Sequence, residues 1–498
     1  MRLNTLALAI TAALTTGVGA LAQADESCKL LSVADQVDIS RGSPERCLPG
    51  VNPLQNQQWH LLNNGQDAFS ASVGVSGIDL NLWWAHRLGV LGQGINVAVV
   101  DDGIEILHPD LAENIRPGSK NFLNDSNDPT PALSAKGDSH GTSIAGIIAA
   151  VDNEIGVKGI APKVKLQGFN YLKSQNAKNF LYSMGGSDAS KDNRVFNQSF
   201  ALTPINNTNG IDLANDLSEI LFERKTLSAD SSAVYVKSAG NGFLRFPYED
   251  YTYSRSSQYA QPQLPFANSI AEHSRNNFWN MIISAVNANG TRSSYSSVGS
   301  NIFLSAPGGE NGTEKPAIVT TDLTGCDMGS NRAEFASSNR LHHGAAQDPN
   351  CNYRGTMNGT SAAAPNASAS AALLLSAFPE LKAGDVRDVL ARSATRIDPD
   401  HPSAVINVGQ RQVVIFEGWE KNAAGLWFSP TYGFGLIDVN AALKLAANHK
   451  PLPPLVKLPW QKVTLNDTAQ AAIPDVGNQP HQVLLSKNRS RLKVYRCC

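Results

Sequence analysis

The sequence predicts an α/β protein whose core is a mostly parallel β-sheet flanked by helices. Strand-like and helix-like runs alternate along most of the chain, which is typical of parallel sheets. Glycine is abundant, with 40 of 498 residues, and hydrophobic residues make up 42% of the composition, which suffices for a large core. The formal net charge of −2 argues against nucleic acid or an anionic membrane as the main partner.

The predicted elements follow one another in strand–helix order. Residues 95–100 form a run rich in β-branched side chains, which indicates a buried strand, and residues 143–151 are small and apolar, as in a closely packed helix. Two further strands are predicted at 233–236 and 281–285. An alanine-rich segment at 362–378 predicts a long buried helix.

The N-terminus has the pattern of a secretory signal peptide. Arg2 is followed by a mostly apolar stretch, residues 6–21, and then by an Ala-Gln-Ala cleavage site at 22–24. A membrane anchor is the alternative, but the stretch is short and rich in alanine and threonine. We therefore expect residues 1–24 to be removed and the mature protein to be exported, soluble and monomeric.

Export makes disulfides permissible, and the chain has six cysteines. Six cysteines allow fifteen connectivities, and the sequence alone does not choose among them. A metal cluster is the alternative, although no C-x-x-C motif is present. Proximity in sequence favours pairing Cys28 with Cys47 and Cys326 with Cys351.

Three segments place one reactive side chain among glycines and small residues. Asp101 follows the first predicted strand, His140 opens a helix, and Ser361 opens another. In parallel α/β sheets, ligands bind beyond the carboxyl ends of the strands. A serine hydroxyl becomes an effective nucleophile when an imidazole removes its proton, and a carboxylate fixes the orientation of that imidazole. The three residues are therefore predicted to form a catalytic triad.

A fourth segment supplies a donor for a developing oxyanion. Asn241 lies in a tight turn after another predicted strand, and it can act together with the backbone N–H of Ser361. Each segment alone is usually structural, so four unrelated turns are the alternative. An esterase is a further alternative, but the serine does not lie in a G-x-S-x-G motif. A secreted adhesion module is a third, and an intact triad argues against it.

These segments resemble the signature blocks of the subtilisin-like serine peptidases, and of their kexin branch in particular. The blocks are Asp-Asp-Gly at 101–103, His-Gly-Thr-Ser at 140–143 and Gly-Thr-Ser-Ala-Ala-Ala-Pro at 359–365, in the chain order known for subtilisin. Residues 52–61 resemble the start of a mature kexin catalytic domain, and the chain as a whole resembles the extracellular serine proteinases of Aeromonas. The resemblance implies a subtilisin-like sheet of the seven-stranded type, hydrolysis of proteins and peptides, and bound calcium.

The resemblance also implies a domain organisation. An N-terminal extension at 25–51 precedes a catalytic domain at 52–447, which contains a long inserted loop at 322–354. A proline-rich linker at 448–456 leads to residues 457–498, which resemble the truncated start of a β-sandwich P domain with an aberrant basic tail. About 45 residues are too few for such a sandwich, so an inactive or unstable truncated product is the alternative function.

Enzymes of this kind usually carry an N-terminal prodomain that assists folding. The extension at 25–51 is shorter than a typical domain. We therefore expect a separate protein to act as the folding chaperone.

The calcium site is carried over from the resemblance residue by residue. Asp110 and Asn153 match ligating side chains, and the carbonyls of Val151 and Ile155 match ligating main-chain groups. Oxygen donors of this kind suit Ca²⁺. Asn52 stands where the family often has an aspartate, which removes one charge.

A second calcium site is a weaker candidate, at Asp125 and Asp128. The segment 124–128 has a composition that is equally typical of a solvated turn.

The substrate pockets depart from the family pattern. The resemblance implies cleavage after paired basic residues, which acidic pocket walls recognise, but the acid expected after the first-pocket segment 199–201 is absent from residues 202–207. We therefore expect a preference for basic residues that is weaker than in a strict processing enzyme. The candidate substrate-binding residues are Asp102 and Asp138 for the second pocket, Ser199, Phe200 and Ala201 for the first, and Glu249 and Asp250 as compensating acids.

Overall fold

A parallel sheet of six strands forms the centre of the described part of the chain. Its strands are β1 (Asn96–Val100), β2 (Lys165–Phe169), β3 (Val195–Gln198), β4 (Val234–Ser238), β5 (Asn280–Val286) and β6 (Ile302–Pro307). They lie in the order β2-β1-β3-β4-β5-β6, and each neighbouring pair is parallel. Nearly every strand residue is buried, as expected for a parallel sheet covered on both faces.

The predicted α/β class is confirmed, while the strand count differs from the seven-stranded type. Strands β1, β4 and β5 coincide with the predicted runs, and β2, β3 and β6 were not predicted. Beyond the outer edge of β2, isolated parallel bridges join Ile115 to Leu166 and Lys120 to Phe169. A seventh segment therefore follows this edge without forming a continuous strand among the described residues.

Helices cover the sheet and are joined by short helical turns. The α-helices are α1 (Trp83–Arg87), α2 (His140–Ala149), α3 (Ala177–Leu181), α4 (Thr360–Ala377), α5 (Ala383–Ser393) and α6 (Val439–Ala446). The predicted helix at 362–378 is α4, and the apolar run at 143–151 lies in α2, which begins at His140 as predicted. Short 3₁₀ turns lie at Gln55–Gln57, Ala112–Asn114, Tyr171–Lys173, Ser269–Ala271 and His273–Arg275, with a π-turn at Tyr182–Gly186.

The two faces of the sheet are packed differently. On one face, the alanine-rich α4 contacts β3, β4, β5 and α2 closely, because alanine lets backbones approach. The other face carries a smaller, aromatic cluster that includes Phe169, Tyr171, Phe196, Phe200 and Tyr235. The rings of Phe196 and Tyr235 stack with centroids 4.8 Å apart.

Smaller antiparallel pairs lie outside the central sheet. They are β7 (Ile318–Thr321) with β8 (Tyr353–Met357), β9 (Ala404–Val408) with β10 (Arg411–Phe416), and β11 (Glu420–Lys421) with β12 (Trp427–Phe428). The inserted loop predicted at 322–354 connects β7 to β8, except that its last two residues already belong to β8. A disulfide between Cys326 and Cys351 closes this loop.

The N-terminal extension is fastened to the rest of the protein. A disulfide joins Cys28 to Cys47, so both pairs favoured by proximity are present. Arg41 donates to the carbonyl of Ile437 at 2.7 Å. Arg46 pairs with Asp79, which is fully buried. These contacts hold the extension against the loop before α1 and the residues before α6.

The computed structural model describes residues 28–453, except 33, 132–138, 201–231, 244–267, 272, 276, 278 and 336. The chain divides into two compact units, Met1–Pro454 and Leu455–Cys498, and the described residues belong to the first. The predicted signal peptide and P-domain start lie outside the described residues, so the domain boundaries stay predictions. None of the described helices is long and apolar enough to cross a bilayer.

Candidate active site

The first two predicted catalytic residues are in direct contact. Asp101 directly follows β1, and its buried carboxylate lies with Oδ1 2.7 Å from Nδ1 of His140 at the start of α2. The same oxygen accepts the backbone N–H of Asp102 at 2.8 Å. Desolvation lowers the pKa of His140, but the charge and hydrogen bond of Asp101 and the charge of Asp102 outweigh it and raise the pKa to about 9. With Nδ1 bound to Asp101, Nε2 is the nitrogen that can exchange protons with a substrate.

Ser361 is presented at the beginning of α4. The preceding Gly359 has φ of +103°, a conformation that glycine adopts without strain. Ser361 Oγ donates to the carbonyl of Ser199 at 2.9 Å, and Ser199 Oγ donates back to the Ser361 carbonyl at 2.8 Å. That carbonyl is available because Pro365, four residues later, has no N–H for the helical hydrogen bond.

The second predicted contact of the triad, between His140 and Ser361, is not formed in this state. Within the described part of the chain, Ser361 Oγ bonds to Ser199 and not to His140. The hydroxyl must rotate towards the imidazole before it can transfer its proton. Such contacts are often loose in the absence of substrate and tighten when it binds.

Asn241 is held in one orientation by the residue before Ser361. Its Oδ1 accepts both the N–H and the hydroxyl of Thr360 at 2.9 Å, and the Thr360 hydroxyl in turn accepts the N–H of Gly240 at 3.0 Å. Since Thr360 occupies the amide oxygen, Nδ2 is the end of the side chain that could donate to a ligand. A side-chain Cβ at Gly359 would lie 3.1 Å from Nδ2 and 3.4 Å from the backbone nitrogen of Ser361, so the two groups border the same glycine.

Asp102 stabilises the start of α2 and also borders a pocket. Its Oδ1 accepts the N–H of Gly141 at 2.7 Å, and its Oδ2 accepts that of His140 at 3.2 Å. A carboxylate is favourable at a helix N-terminus. The pocket beside it has a volume of about 430 Å³, and Asp128 and Lys173 also line it. Both acidic and basic groups therefore surround this space.

The first-pocket segment leaves β3 beside Ser361. Ser199 and Phe200 are buried, and the Phe200 ring packs against Tyr171 with centroids 5.6 Å apart. The ring therefore belongs to the aromatic cluster and does not form a pocket wall. Ala201, Asp138, Glu249 and Asp250 lie outside the described residues.

The residues predicted to bind calcium converge on one point. Nδ2 of Asn52 lies 2.8 Å from the carbonyl of Val151, 2.6 Å from those of Ile155 and Val157, and 3.4 Å from Oδ1 of Asn153. An amide nitrogen has two hydrogens and cannot satisfy four oxygens. Oδ1 of the same Asn52 is buried without a hydrogen-bond partner.

Asp110 has a similar unmet requirement. Its Oδ1 is buried without a partner, while its Oδ2 accepts the N–H of Val157 at 3.0 Å. Burial raises the pKa of Asp110 to about 8, despite the lowering effect of that hydrogen bond and of contacts to Tyr353 and Asn153. Carbonyl, amide and carboxylate oxygens in this number suit Ca²⁺, which takes six to eight of them. With the Asn52 amide turned over, its oxygen would join the others, so the residues present fit this ion.

The segment of the second candidate calcium site forms a hydrogen-bonded turn. Asn124 Oδ1 accepts the N–H of Ser126 at 3.0 Å, and Asp128 Oδ1 accepts that of Thr130 at 2.9 Å. Asp125 is exposed and pairs with Lys120 at 2.5 Å. These contacts are typical of a solvated turn, which was the alternative to a calcium site in the sequence analysis. Among the described residues, no group of three or more His, Cys, Asp or Glu is placed to hold a metal.

Comparison with known proteins decides the family. A model described as the subtilase family matches residues 92–435, well over half of the chain. The chain belongs to the subtilase family of serine proteases. It is a serine endopeptidase, and the predicted α/β sheet with Asp, His and Ser in that order is the arrangement expected of a subtilase.

Named relatives place this subtilase near the Aeromonas enzymes. It is 58% identical to the Aeromonas extracellular serine protease of Aeromonas sobria, over 96% of this chain and 77% of the relative. It is 51% identical to the microbial serine proteinase of Aeromonas salmonicida, over 88% and 70% of the two chains. Neuroendocrine convertase 2 of Homo sapiens is a distant relative, 27% identical over 81% of this chain and 53% of that protein.

Solved structures agree with the fold. The serine protease of Aeromonas sobria superposes with a TM-score of 0.82 at 57% identity, covering 89% of this subtilase and 75% of that chain. The same protease in complex with a chaperone, ORF2, gives a TM-score of 0.83 over the same shares of the two chains.

Two groups at these sites were not found by sequence reasoning. The Val157 carbonyl belongs to the group of oxygens around Asn52 and Asp110, which we call the oxygen cage. Its only signal in the sequence was the spacing of Val151, Asn153 and Ile155, two residues apart. Thr360 fixes Asn241, and its position next to Ser361 gave no indication of that contact.

Proposed function

We propose that this subtilase hydrolyses peptide bonds with Ser361 as nucleophile, His140 as general base and Asp101 as the residue that orients it. The observation that carries the proposal is the 2.7 Å contact between Asp101 and His140. Neutral His140 takes the Ser361 proton at Nε2 as Oγ attacks the scissile carbonyl carbon. The imidazolium then returns this proton to the leaving amine, and water repeats the sequence to release the acyl group.

The tetrahedral intermediate carries a negative oxygen that needs fixed donors. Nδ2 of Asn241 and the backbone N–H of Ser361 are proposed to supply them. Support comes from Thr360, whose N–H donates to the Asn241 oxygen at 2.9 Å and so leaves the nitrogen as the end that can donate to an oxyanion. Donors that are oriented before the reaction stabilise the developing charge without reorganisation.

A calcium ion is proposed to complete the cage between Asn52 and Asp110. The carbonyls of Val151, Ile155 and Val157 and the side chain of Asn153 are the other ligands. When bound, the ion supplies charge compensation, not a chemical step. It would neutralise Asp110 and join residue 52 to the loop after α2, whose N-terminus carries His140.

The substrate is proposed to be an extended protein segment with basic residues preferred near the cleaved bond. Asp102 and Asp128 line the pocket beside the catalytic residues and support this preference. Lys173 lines the same pocket, and its positive charge weakens the attraction for a basic side chain. Asp138, Glu249 and Asp250 remain candidate acids outside the described residues. Degradation of varied proteins suits this mixed pocket better than strict processing.

Secretion and assisted folding are proposed from two observations. The N-terminus has a signal-peptide pattern, and a relative at 58% identity is an extracellular protease. A protease at 57% identity has been solved in complex with a chaperone protein. We expect this chain to need a comparable partner, and co-expression with its genomic neighbour tests this. Full activity from the gene expressed alone would contradict it.

The central test is hydrolysis of a fluorogenic peptide ending in Lys-Arg by the full chain in calcium, beside a Ser361→Ala control. We expect hydrolysis by the wild type and loss of about 10⁶-fold in the control. A folded wild type that hydrolyses nothing would contradict the proposed triad and favour an inactive product. Equal activity in both proteins would assign the nucleophile elsewhere.

A further inference from the structure

A buried lysine lies beside the first-pocket segment. Lys237 is in β4, opposite Gln198 of β3, where the pairing of these two strands ends. Its side chain is 1% exposed. Nζ donates to the carbonyl of Phe200 at 3.0 Å and lies 4.3 Å from the centroid of the Phe200 ring.

This position is an unfavourable one for a lysine unless the side chain has a specific role. The neighbouring β4 residues Val234 and Val236 are apolar and buried, and Tyr235 belongs to the aromatic cluster on the same face as Lys237. Removing an amine from water is costly unless polar or π groups replace the lost hydration. The Phe200 carbonyl and ring provide such groups.

The hydrogen bond from Lys237 to the Phe200 carbonyl joins β4 to residues beyond the last paired residue of β3. Ser199 and Phe200 lie after the final β3–β4 pair, so no β4 backbone group in that ladder holds them. Lys237 reaches the Phe200 carbonyl with its side chain instead. On the other side, Ser199 exchanges two hydrogen bonds with Ser361. The segment is thus fixed between β4 and the start of α4.

We propose that Lys237 is a positioning residue that holds the Ser199–Phe200 main chain in place for binding an extended peptide. This inference rests on the proposed function, because it assumes that the segment lines the first pocket. The lysine touches neither Ser361 nor His140 in the described structure, so it acts through Phe200. Substrates that contact the segment depend on it, whereas small reagents that need Ser361 alone do not.

The test compares two probes on Lys237→Met, which keeps the chain length and apolar stem but removes the donor. We expect kcat/KM for an extended peptide substrate to fall roughly tenfold, mainly through KM, since one hydrogen bond from a charged group is lost. Labelling of Ser361 by a small sulfonyl fluoride should stay within about twofold of the wild type.

A matched control is Arg387→Met, which removes a cation in α5 that lies 4.4 Å from the centroid of Phe303. We expect it to lower the melting temperature without changing the ratio of the two probes. Equal losses on both probes in Lys237→Met, or no loss on either, would overturn the inference. A wild type unreactive with both probes would instead overturn the proposed function, and the inference with it.

Phe200→Leu provides a second variant in case Lys237→Met does not fold. It removes the ring under Nζ and leaves the carbonyl in place. We expect the same separation of the two probes at a smaller size, about threefold in KM. A parallel loss on both probes in this variant would also contradict the positioning role.

Discussion

Two buried aspartates, Asp101 and Asp110, differ in how the protein compensates their negative charge. Both are 0% exposed, and both keep one carboxylate oxygen without a hydrogen-bond partner. Asp101 has a titratable partner within the chain, His140, at 2.7 Å. Asp110 contacts Tyr353 and Asn153 but is paired with no histidine, lysine or arginine among the described residues, and burial raises its pKa to about 8.

The difference indicates which function each buried charge supports. A carboxylate compensated by a histidine can stabilise a proton as it comes and goes during a reaction. A carboxylate compensated only by neutral groups needs a cation from solution. The stability of the fold around it therefore depends on the concentration of that cation. The identical substitution at the two positions should therefore affect different properties, catalysis at one and stability at the other.

The largest expected effect comes from Asp101→Asn. Neutral asparagine favours the wrong tautomer of His140, so kcat should fall by about 10⁴-fold with little change in melting temperature. Peptide hydrolysis measured against active-site concentration checks this. A loss below tenfold would indicate that another group orients His140.

Calcium removal is the next largest effect. In excess calcium, the wild type should be more stable than in chelator by about 2–3 kcal/mol at a hundredfold excess over Kd. Asp110→Asn should lose most of this calcium response, because it removes the charge that the ion neutralises. Thermal unfolding of both proteins with and without chelator measures the difference. An equal calcium response in the two proteins would place the ion elsewhere.

Asn52→Asp sharpens the same comparison from the opposite direction. It adds a second carboxylate to the cage, so calcium affinity should increase by about tenfold. In chelator the variant should be less stable than the wild type, since two like charges are then buried together. Calorimetric titration with calcium measures the affinity. A Kd larger than that of the wild type would show that residue 52 is not a ligand.

The smallest expected effect concerns pH. His140 must be neutral to act as a base, and its raised pKa, about 9, means that kcat/KM should rise with pH above 7. The charge of Asp102 contributes to that rise. Asp102→Asn should therefore move the inflection to lower pH, with a few-fold gain in the pH 7 rate relative to the plateau. An unchanged inflection would mean that solvent screens Asp102 from the imidazole, one third of whose side chain is exposed.

Much of the fold and the site could be predicted because reactive side chains sit in recognisable surroundings. Strand β1 and helix α4 were visible from apolar runs, and Asp101, His140 and Ser361 from the small residues around them. Main-chain groups such as the Val157 carbonyl, a proposed calcium ligand, carry no side-chain signal. The segment from 115 to 120 pairs through isolated bridges, which no periodic pattern indicates.

Lys237 was missed for a related reason. A lysine within a short apolar run usually points to an exposed edge, whereas here the sheet continues on both sides of β4. Its contact, the Phe200 carbonyl, depends on where the chain goes after β3 ends. Such information is tertiary, and a single sequence does not contain it.

Pro365 connects the stability of α4 with the hydrogen bonding of Ser361, the proposed nucleophile four residues earlier. Replacing it with alanine would restore a backbone donor and improve intrinsic helix propensity. The new N–H would compete for the Ser361 carbonyl, which now accepts the Ser199 hydroxyl. A directed-evolution screen that selects for heat resistance alone would be drawn to this substitution. The recovered variants would have a more regular helix but would have lost the hydrogen bond from Ser199 that positions Ser361, the proposed nucleophile.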